Sequence, residues 1–306
     1  MNASGDRPPR GEPLASEPTT AATVLYIAFL CLLWGGNIVA MKIGLRGVPP
    51  VGAAGFRFLL ASLTVLLLAA VRRAPLGVRR DLWPHLFGLG GLFVLQHAAF
   101  NLGLNLTSAS RSVVFMYTQP VFTVLLAHFL IPGERLSGTR GGGVLISLVG
   151  LIVVFAERLE GGALWMLLGD GLVTLAALGW ALQSVYMKRL LSRSDPFVLT
   201  LYQMVIAFPC FFLINRLAEP TLAYFVDAEI VLAFLYQGSL VAGLTFVAWT
   251  ILIRRHQVSQ ISAFIFLTPI FGVLLSWLFL GDPITRGLVV GVALVAAGIV
   301  LVNRTG

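Results

Sequence analysis

Ten stretches of about twenty predominantly apolar residues follow one another along this chain, with only short polar joints between them. A helix needs about 20 such residues to cross a hydrocarbon core of about 30 Å. Inside lipid, only helices and closed barrels satisfy every backbone polar group. The stretches run at about 24–43, 51–71, 84–104, 108–131 and 139–156, then 166–187, 196–216, 230–253, 258–280 and 285–303. They predict an all-α membrane protein of ten transmembrane helices. Composition agrees: 11% of the 306 residues are charged, against about 25% in soluble chains. So little polar surface cannot coat a particle of this size in water. What lies between the spans is too short for a soluble domain.

The net charge of +8 points to membrane orientation rather than to nucleic acid, because the basic residues sit singly or in pairs at span ends. With the N-terminus inside, fourteen Lys and Arg face the cytoplasm, among them Arg72, Arg73, Arg79, Arg80, Lys188, Arg189, Arg254 and Arg255. Six face the other side: Lys42, Arg46, Arg111, Arg158, Arg216 and Arg286. This asymmetry predicts a multi-pass protein of the inner (plasma) membrane with both termini cytoplasmic, and an even number of spans. Residues 1–22, rich in Pro, Ser and acidic groups, read as a disordered cytoplasmic tail without the charged start of a signal peptide. Cys31 and Cys210 each fall alone in an apolar span and read as packing residues.

The second half of the chain repeats the first at a shift of about 146 to 149 residues. Trp34 falls on Trp180, Met41-Lys42 on Met187-Lys188, Pro50 on Pro196 and Ser110 on Ser259. The run PVFTVLL from Pro120 falls on PIFGVLL from Pro269, and Gly143 and Gly150 on Gly291 and Gly298. Matches spread over all five spans argue for duplication. Residues 23–156 and 157–306 then form two five-helix repeats. An odd number of spans per repeat turns one copy upside down relative to the other. Inverted repeats occur widely in secondary transporters, with the substrate near the midplane between the halves.

Polar side chains within the spans are candidates for lining such a path, since each is expensive in lipid. Gln96, His97, Phe100 and Asn101 fall at spacings of three and four in span 3, hence on one helical face. Span 1 carries Trp34 and Asn37 beside Gly35 and Gly36, and its copy carries Trp180, Gln183 and Ser184. Span 8 adds Thr245 and Trp249, the latter matching Phe100 across the repeat. Tyr117, Gln119 and Thr268 flank Pro120 and Pro269. These two prolines would interrupt the helical hydrogen-bond ladders of spans 4 and 9 at matched positions, as kinks that could act as hinges. Arg57, about two turns into span 2, could hold a substrate carboxylate by paired hydrogen bonds or snorkel to the headgroups. Asp170 reads as a structural carboxylate near a helix start. Spans 5 and 10 carry almost no polar side chains. Their glycines read as packing or as the surface of a possible homodimer.

The span-1 Trp with Lys eight residues on, the mid-span prolines, PGERL from Pro132 and GDPIT from Gly281 together resemble the drug/metabolite transporter superfamily. The match is to its ten-helix EamA-type branch, over roughly residues 24–303. Asp282 stands where that pattern more often has Glu. The resemblance implies a secondary transporter that exports or exchanges amino acids or similar small metabolites. No P-loop is present, and neither a cofactor nor a metal is expected. The alternatives are an intramembrane enzyme, for which the four His are too scattered to make a motif, and a non-transporting scaffold.

Overall fold

A computed structural model describes residues 16–107, 109–155, 164–219, 224–280 and 286–303. The amino-terminal tail up to residue 15 and the Asp282 segment lie outside the described residues. Every regular element among them is helical. Thr20 opens the first helix, its hydroxyl accepting the Thr23 amide at 3.2 Å as an N-cap. In chain order the helices are α1 (Ala21–Gly44), α2 (Pro50–Arg72), α3 (Trp83–Leu106), α4 (Ala109–Met116), α5 (Gln119–Leu130), α6 (Gly138–Phe155), α7 (Leu164–Leu190) and α8 (Pro196–Ala218). After them come α9 (Ala228–Phe234), a π-helical segment (Leu235–Thr245), α10 (Phe246–Arg255), α11 (Val258–Ala263), α12 (Leu267–Leu280) and α13 (Arg286–Asn303).

Among the described residues, five stretches are long and apolar enough to cross a membrane: Pro50–Arg72, Arg80–Leu104, Trp165–Leu190, Pro196–Leu217 and Ala228–Arg255. Shorter apolar helices lie at Ala21–Asn37, Val114–Leu130, Gly138–Val153, Val258–Gly272 and Val289–Asn303. Large apolar side chains such as Leu25, Leu67, Leu95, Phe129 and Leu217 stand exposed on the outside of the bundle. Water would not tolerate that surface; acyl chains do.

Helices pair through small residues. A Cβ at Gly143 would lie 2.7 Å from the Gly298 carbonyl, and one at Gly150 2.8 Å from that of Gly291, so α6 and α13 run in backbone contact. Ser147 Oγ donates to the Val295 carbonyl across the same seam at 3.3 Å. These glycines are used inside one chain. The homodimer reading of spans 5 and 10 therefore loses the feature that suggested it. Elsewhere α3 lies along α7, α2 along α8 and the π segment, α1 along α12, α5 along α7 and α3 along α8.

Pro120 and Pro269 each follow an interruption of the α-helical ladder in spans 4 and 9. The helix before Pro120 stops at Met116, and α5 restarts at Gln119 with the proline in its first turn. Before Pro269 the chain passes through a 3-10 turn at Phe264–Phe266, and α12 starts at Leu267. Proline lacks the N–H that a helix interior needs, and at the first helical positions that loss has no consequence. At both matched positions the i to i−4 ladder gives way to a tighter turn, at residues 117–118 and 264–266, before it resumes.

Candidate functional site

Helices α1, α3, α7, α8 and α10 converge on a cavity in the middle of the bundle. Its lining includes Trp34, Phe93, Gln96, His97, Trp180, Gln183, Ser184, Met187, Gln203, Phe246 and Trp249. The open space is about 40 Å³, room for about three water molecules and too small for an amino acid. Small residues bring the walls together. A Cβ on Gly35 would lie 2.9 Å from the Gly272 amide of α12, and one on Gly36 2.9 Å from the Tyr236 hydroxyl. One on Gly179 of α7 would meet Gln96 Cβ at 3.0 Å, which sets Gln96 within reach of Gln183 one turn further along α7.

Three amides cross the cavity in a chain. Gln96 Nε2 donates to Gln183 Oε1, and Gln183 Nε2 donates to Gln203 Oε1 at 2.6 Å. All three are buried. Opposite them, Trp34 Nε1 donates to Thr245 Oγ1 at 2.7 Å, and the Thr245 hydroxyl donates in turn to the Val241 carbonyl. The Trp34 and Trp249 rings meet edge to face, centroids 5.2 Å apart, in the geometry the ring quadrupoles favour. Two buried atoms stay unpaired, the Gln96 Oε1 acceptor and the Trp249 Nε1 donor. The cavity thus offers aromatic faces, one free donor and one free acceptor. That set suits a small solute with an apolar body and a polar end.

Of the residues picked from sequence, Trp34, Gln96, His97, Trp180, Gln183 and Trp249 line this cavity, and Thr245 holds Trp34 in place. Trp34 takes its ring contact from Trp249, whereas Trp180 occupies another part of the same lining. His97 is wedged among the rings of Phe58, Phe93 and Phe211, and its Nδ1 bonds the Phe93 carbonyl of its own helix at 2.8 Å.

The remaining candidates are placed elsewhere. Phe100 and Asn101 are half-buried and outside the lining, one turn further along α3. Tyr117 and Thr268 are not part of the lining, and Gln119 Nε2 donates to the Thr123 hydroxyl within its own helix at 2.6 Å. Asn37 Nδ2 donates to Met41 Sδ at 3.3 Å, and Arg57 Nη1 approaches the same sulfur at 3.6 Å. The Arg57 head thus lies inside the bundle and does not snorkel to the surface. Gln203, which no pattern in the sequence singles out, ends the chain of three amides in the cavity. Among the described residues, no three His, Cys, Asp or Glu side chains gather where a metal ion could sit.

Polar clasps close both ends of the bundle. At one end Asp170 accepts the Thr107 hydroxyl at 2.7 Å and pairs with Arg111, tying α3 and α4 to α7. This is a structural use of the carboxylate, as its place near a helix start suggests. At the other end Glu134, in the α5–α6 loop, accepts the amides of Val258 and Ser259 at 2.9 and 3.0 Å and the Ser259 hydroxyl at 2.7 Å. Lys188 Nζ donates to the carbonyls of Ile253 and His256, both at 2.7 Å. The turn between α10 and α11 is held from both sides.

The sequence profile described as "EamA-like transporter family" matches residues 21–156 and again 167–304. A Bacillus subtilis protein described as uncharacterized transporter YoaV is 24% identical over 90% of this chain and 94% of its own length. An Escherichia coli K12 protein named as a probable amino-acid metabolite efflux pump is 26% identical over 88% of this chain and 90% of its own. One protein of known crystal structure shares the fold with a TM-score of 0.80, at 23% identity, over 92% of this chain and 96% of that one. The chain, a multi-pass membrane protein, belongs to the EamA-like transporter family of the drug/metabolite transporter superfamily.

Proposed function

We propose that this protein is a secondary transporter that exports or exchanges small metabolites, amino acids or related compounds, by alternating access of two inverted five-helix repeats. The observation that carries this reading is the central cavity, walled by residues of both halves and closed by a clasp at each end. A pore would stay open along its length. A scaffold would have no use for three linked amides and three tryptophans at the middle of a bilayer, where each unpaired polar atom is costly.

The inverted-repeat mechanism is supported by the way the helices pair. Exchanging the two halves turns the α1–α12 contact into that of α7 with α5. The α3–α7 contact becomes that of α1 with α9 and the π segment, and the pairing of α2 with the π segment becomes that of α8 with α3. The pairs α2–α8 and α6–α13 map onto themselves. In such a design one half can adopt the other's conformation, exposing the same site to the opposite side. With so little open space, the described conformation is one in which the substrate site is shut. The charge count supports a plasma-membrane orientation with both termini cytoplasmic, and the names of the relatives support the substrate class.

Counterflow into proteoliposomes loaded with a panel of amino acids tests the reading. Accumulation of labelled substrate that depends on an internal counter-substrate is the expected result. A variant retaining only Trp34 and Trp180 of the six tryptophans should report saturating substrate by its emission. Liposomes that accumulate no member of the panel, nor any simple organic acid or amine, would remove the proposal.

A further inference from the structure

A guanidinium buried among helices in a bilayer ordinarily faces a carboxylate. Arg57 has none: among the described residues it makes no ion pair, and its buried Nε has no hydrogen-bond partner. Its contacts are the Met41 sulfur and the Phe58 ring, whose centroid lies 5.3 Å from Cζ. Sulfur and an aromatic face are weak partners for a full charge, so most of the guanidinium's hydrogen-bonding capacity is unused.

Two more orphan atoms lie on the neighbouring elements, α1 and the π segment. Asn37 turns Nδ2 onto the same Met41 sulfur and leaves Oδ1 buried and unpaired. Gln237, 3% exposed on the π-helical segment, leaves Nε2 unpaired. A Cβ placed on Gly44, one turn beyond Met41, would lie 3.0 Å from that nitrogen. The next residue, Gly238, lies against the Arg57 carbonyl, 3.0 Å from where its Cβ would be. Three elements, α1, α2 and the π segment, therefore bring unsatisfied polar atoms together. Two carry donors and one an acceptor. A π-helical stretch often marks a functional position, and this one, Leu235–Thr245, carries both Gln237 and Thr245, the partner of Trp34.

We propose that Arg57 and Gln237 form a carboxylate-binding subsite about two helical turns along α1 from Trp34 of the central cavity, with Asn37 Oδ1 accepting from a donor group next to that carboxylate. The ligand class is organic acids, best matched by an α-amino or α-hydroxy acid whose side chain lies toward Trp34 and Trp249. Two parallel N–H bonds from one guanidinium suit the planar carboxylate. This deepens the transporter reading by naming the charge its substrate carries, and it rests on that reading only for the claim that the ligand is moved.

Thermal unfolding of the purified full-length protein in detergent tests the subsite without transport. The probes are L-phenylalanine, phenylacetate and L-phenylalaninamide, which share a ring and differ in the carboxylate and the amine. The two acids should raise Tm by about 3 °C at ten times their Kd, and the amide should leave it unchanged. Arg57→Gln should abolish both shifts. Should that variant fail to fold, Asn37→Asp decides. It puts a carboxylate beside Arg57, gives the charge a partner and should yield a folded protein deaf to the acids. Equal shifts with acid and amide, no shift with either acid, or an Asn37→Asp variant that responds like the parent would each overturn the subsite. Counterflow of phenylalanine, measured in parallel, separates the two claims. An acid-specific shift without counterflow keeps the subsite and removes transport, and counterflow without acid specificity does the reverse.

Discussion

Replacing Glu134 by alanine should release one end of the molecule. Its carboxylate accepts three hydrogen bonds, from the Val258 and Ser259 amides and the Ser259 hydroxyl, all at 2.7–3.0 Å, and it is 4% exposed. Hydrogen bonds to a charged group are worth about 1.5–3 kcal/mol each when one partner is deleted. The three are not additive, because they share one carboxylate and the neighbouring loop residues Gly133 and Arg135 are exposed, so water can reach the freed amides. The net loss is then about 2–4 kcal/mol, a shift of about 30- to 1,000-fold between clasped and released conformations. Glu134→Gln keeps the volume and one acceptor and should fall between. The assay is thiol labelling: Ser184→Cys, in the cavity wall, on a background lacking Cys31 and Cys210, treated with an impermeant reagent from each face of membrane vesicles. Labelling from the Glu134 face should speed up in the alanine variant, while the other face stays slow. A folded Glu134→Ala protein that labels at the parent rate from both faces would refute the clasp.

Other parts of the structure make separate claims. In a double-mutant cycle of Gln96→Leu and Gln183→Leu, unfolding in mixed micelles should show a coupling of about 0.6–1.7 kcal/mol, the range found for hydrogen bonds between membrane helices. A coupling of zero would mean the amides do not bond. Gly298→Ala places a methyl 2.2 Å from Ser147 Oγ and 2.4 Å from the Gly143 carbonyl, and overpacking of this kind costs about 1–3 kcal/mol. Adding Ser147→Gly should recover part of that loss, whereas a neutral Gly298→Ala would contradict the close α6–α13 seam. Trp34→Phe and Thr245→Val remove opposite ends of one hydrogen bond, worth about 1 kcal/mol or fivefold in transport. The double variant should be no worse than the poorer single one, and additive losses would separate the two residues.

How far the sequence carries can be followed residue by residue. Trp34, Trp180, Gln96, His97, Gln183 and Trp249 stood out because a large amphipathic or polar side chain in mid-span has few uses in lipid. The structure gathers all six around one cavity. Phe100 and Asn101 share their helical face, but periodicity reports direction around a helix and not depth along it. One turn is about 5.4 Å, enough to carry them past the cavity. Gln203 was one amide in a long apolar run, with nothing local to mark it until Gln183 reached it from α7.

The helical class, the apolar exterior and the doubled pattern were determined by the sequence itself, because lipid demands about twenty apolar residues per crossing and duplication leaves its register in the residues. The proline breaks at Pro120 and Pro269 were half legible: proline announces a missing donor, yet whether a helix bends or restarts depends on what its neighbours allow. The clasps were decided by tertiary structure alone. Glu134 binds backbone amides and Lys188 binds backbone carbonyls, and every residue but proline carries both groups. No sequence pattern tells which of them the fold will bring within 3 Å of a charge. The same holds for Arg57, whose charge is plain in the sequence, while the absence of a described carboxylate beside it shows only once the helices are packed.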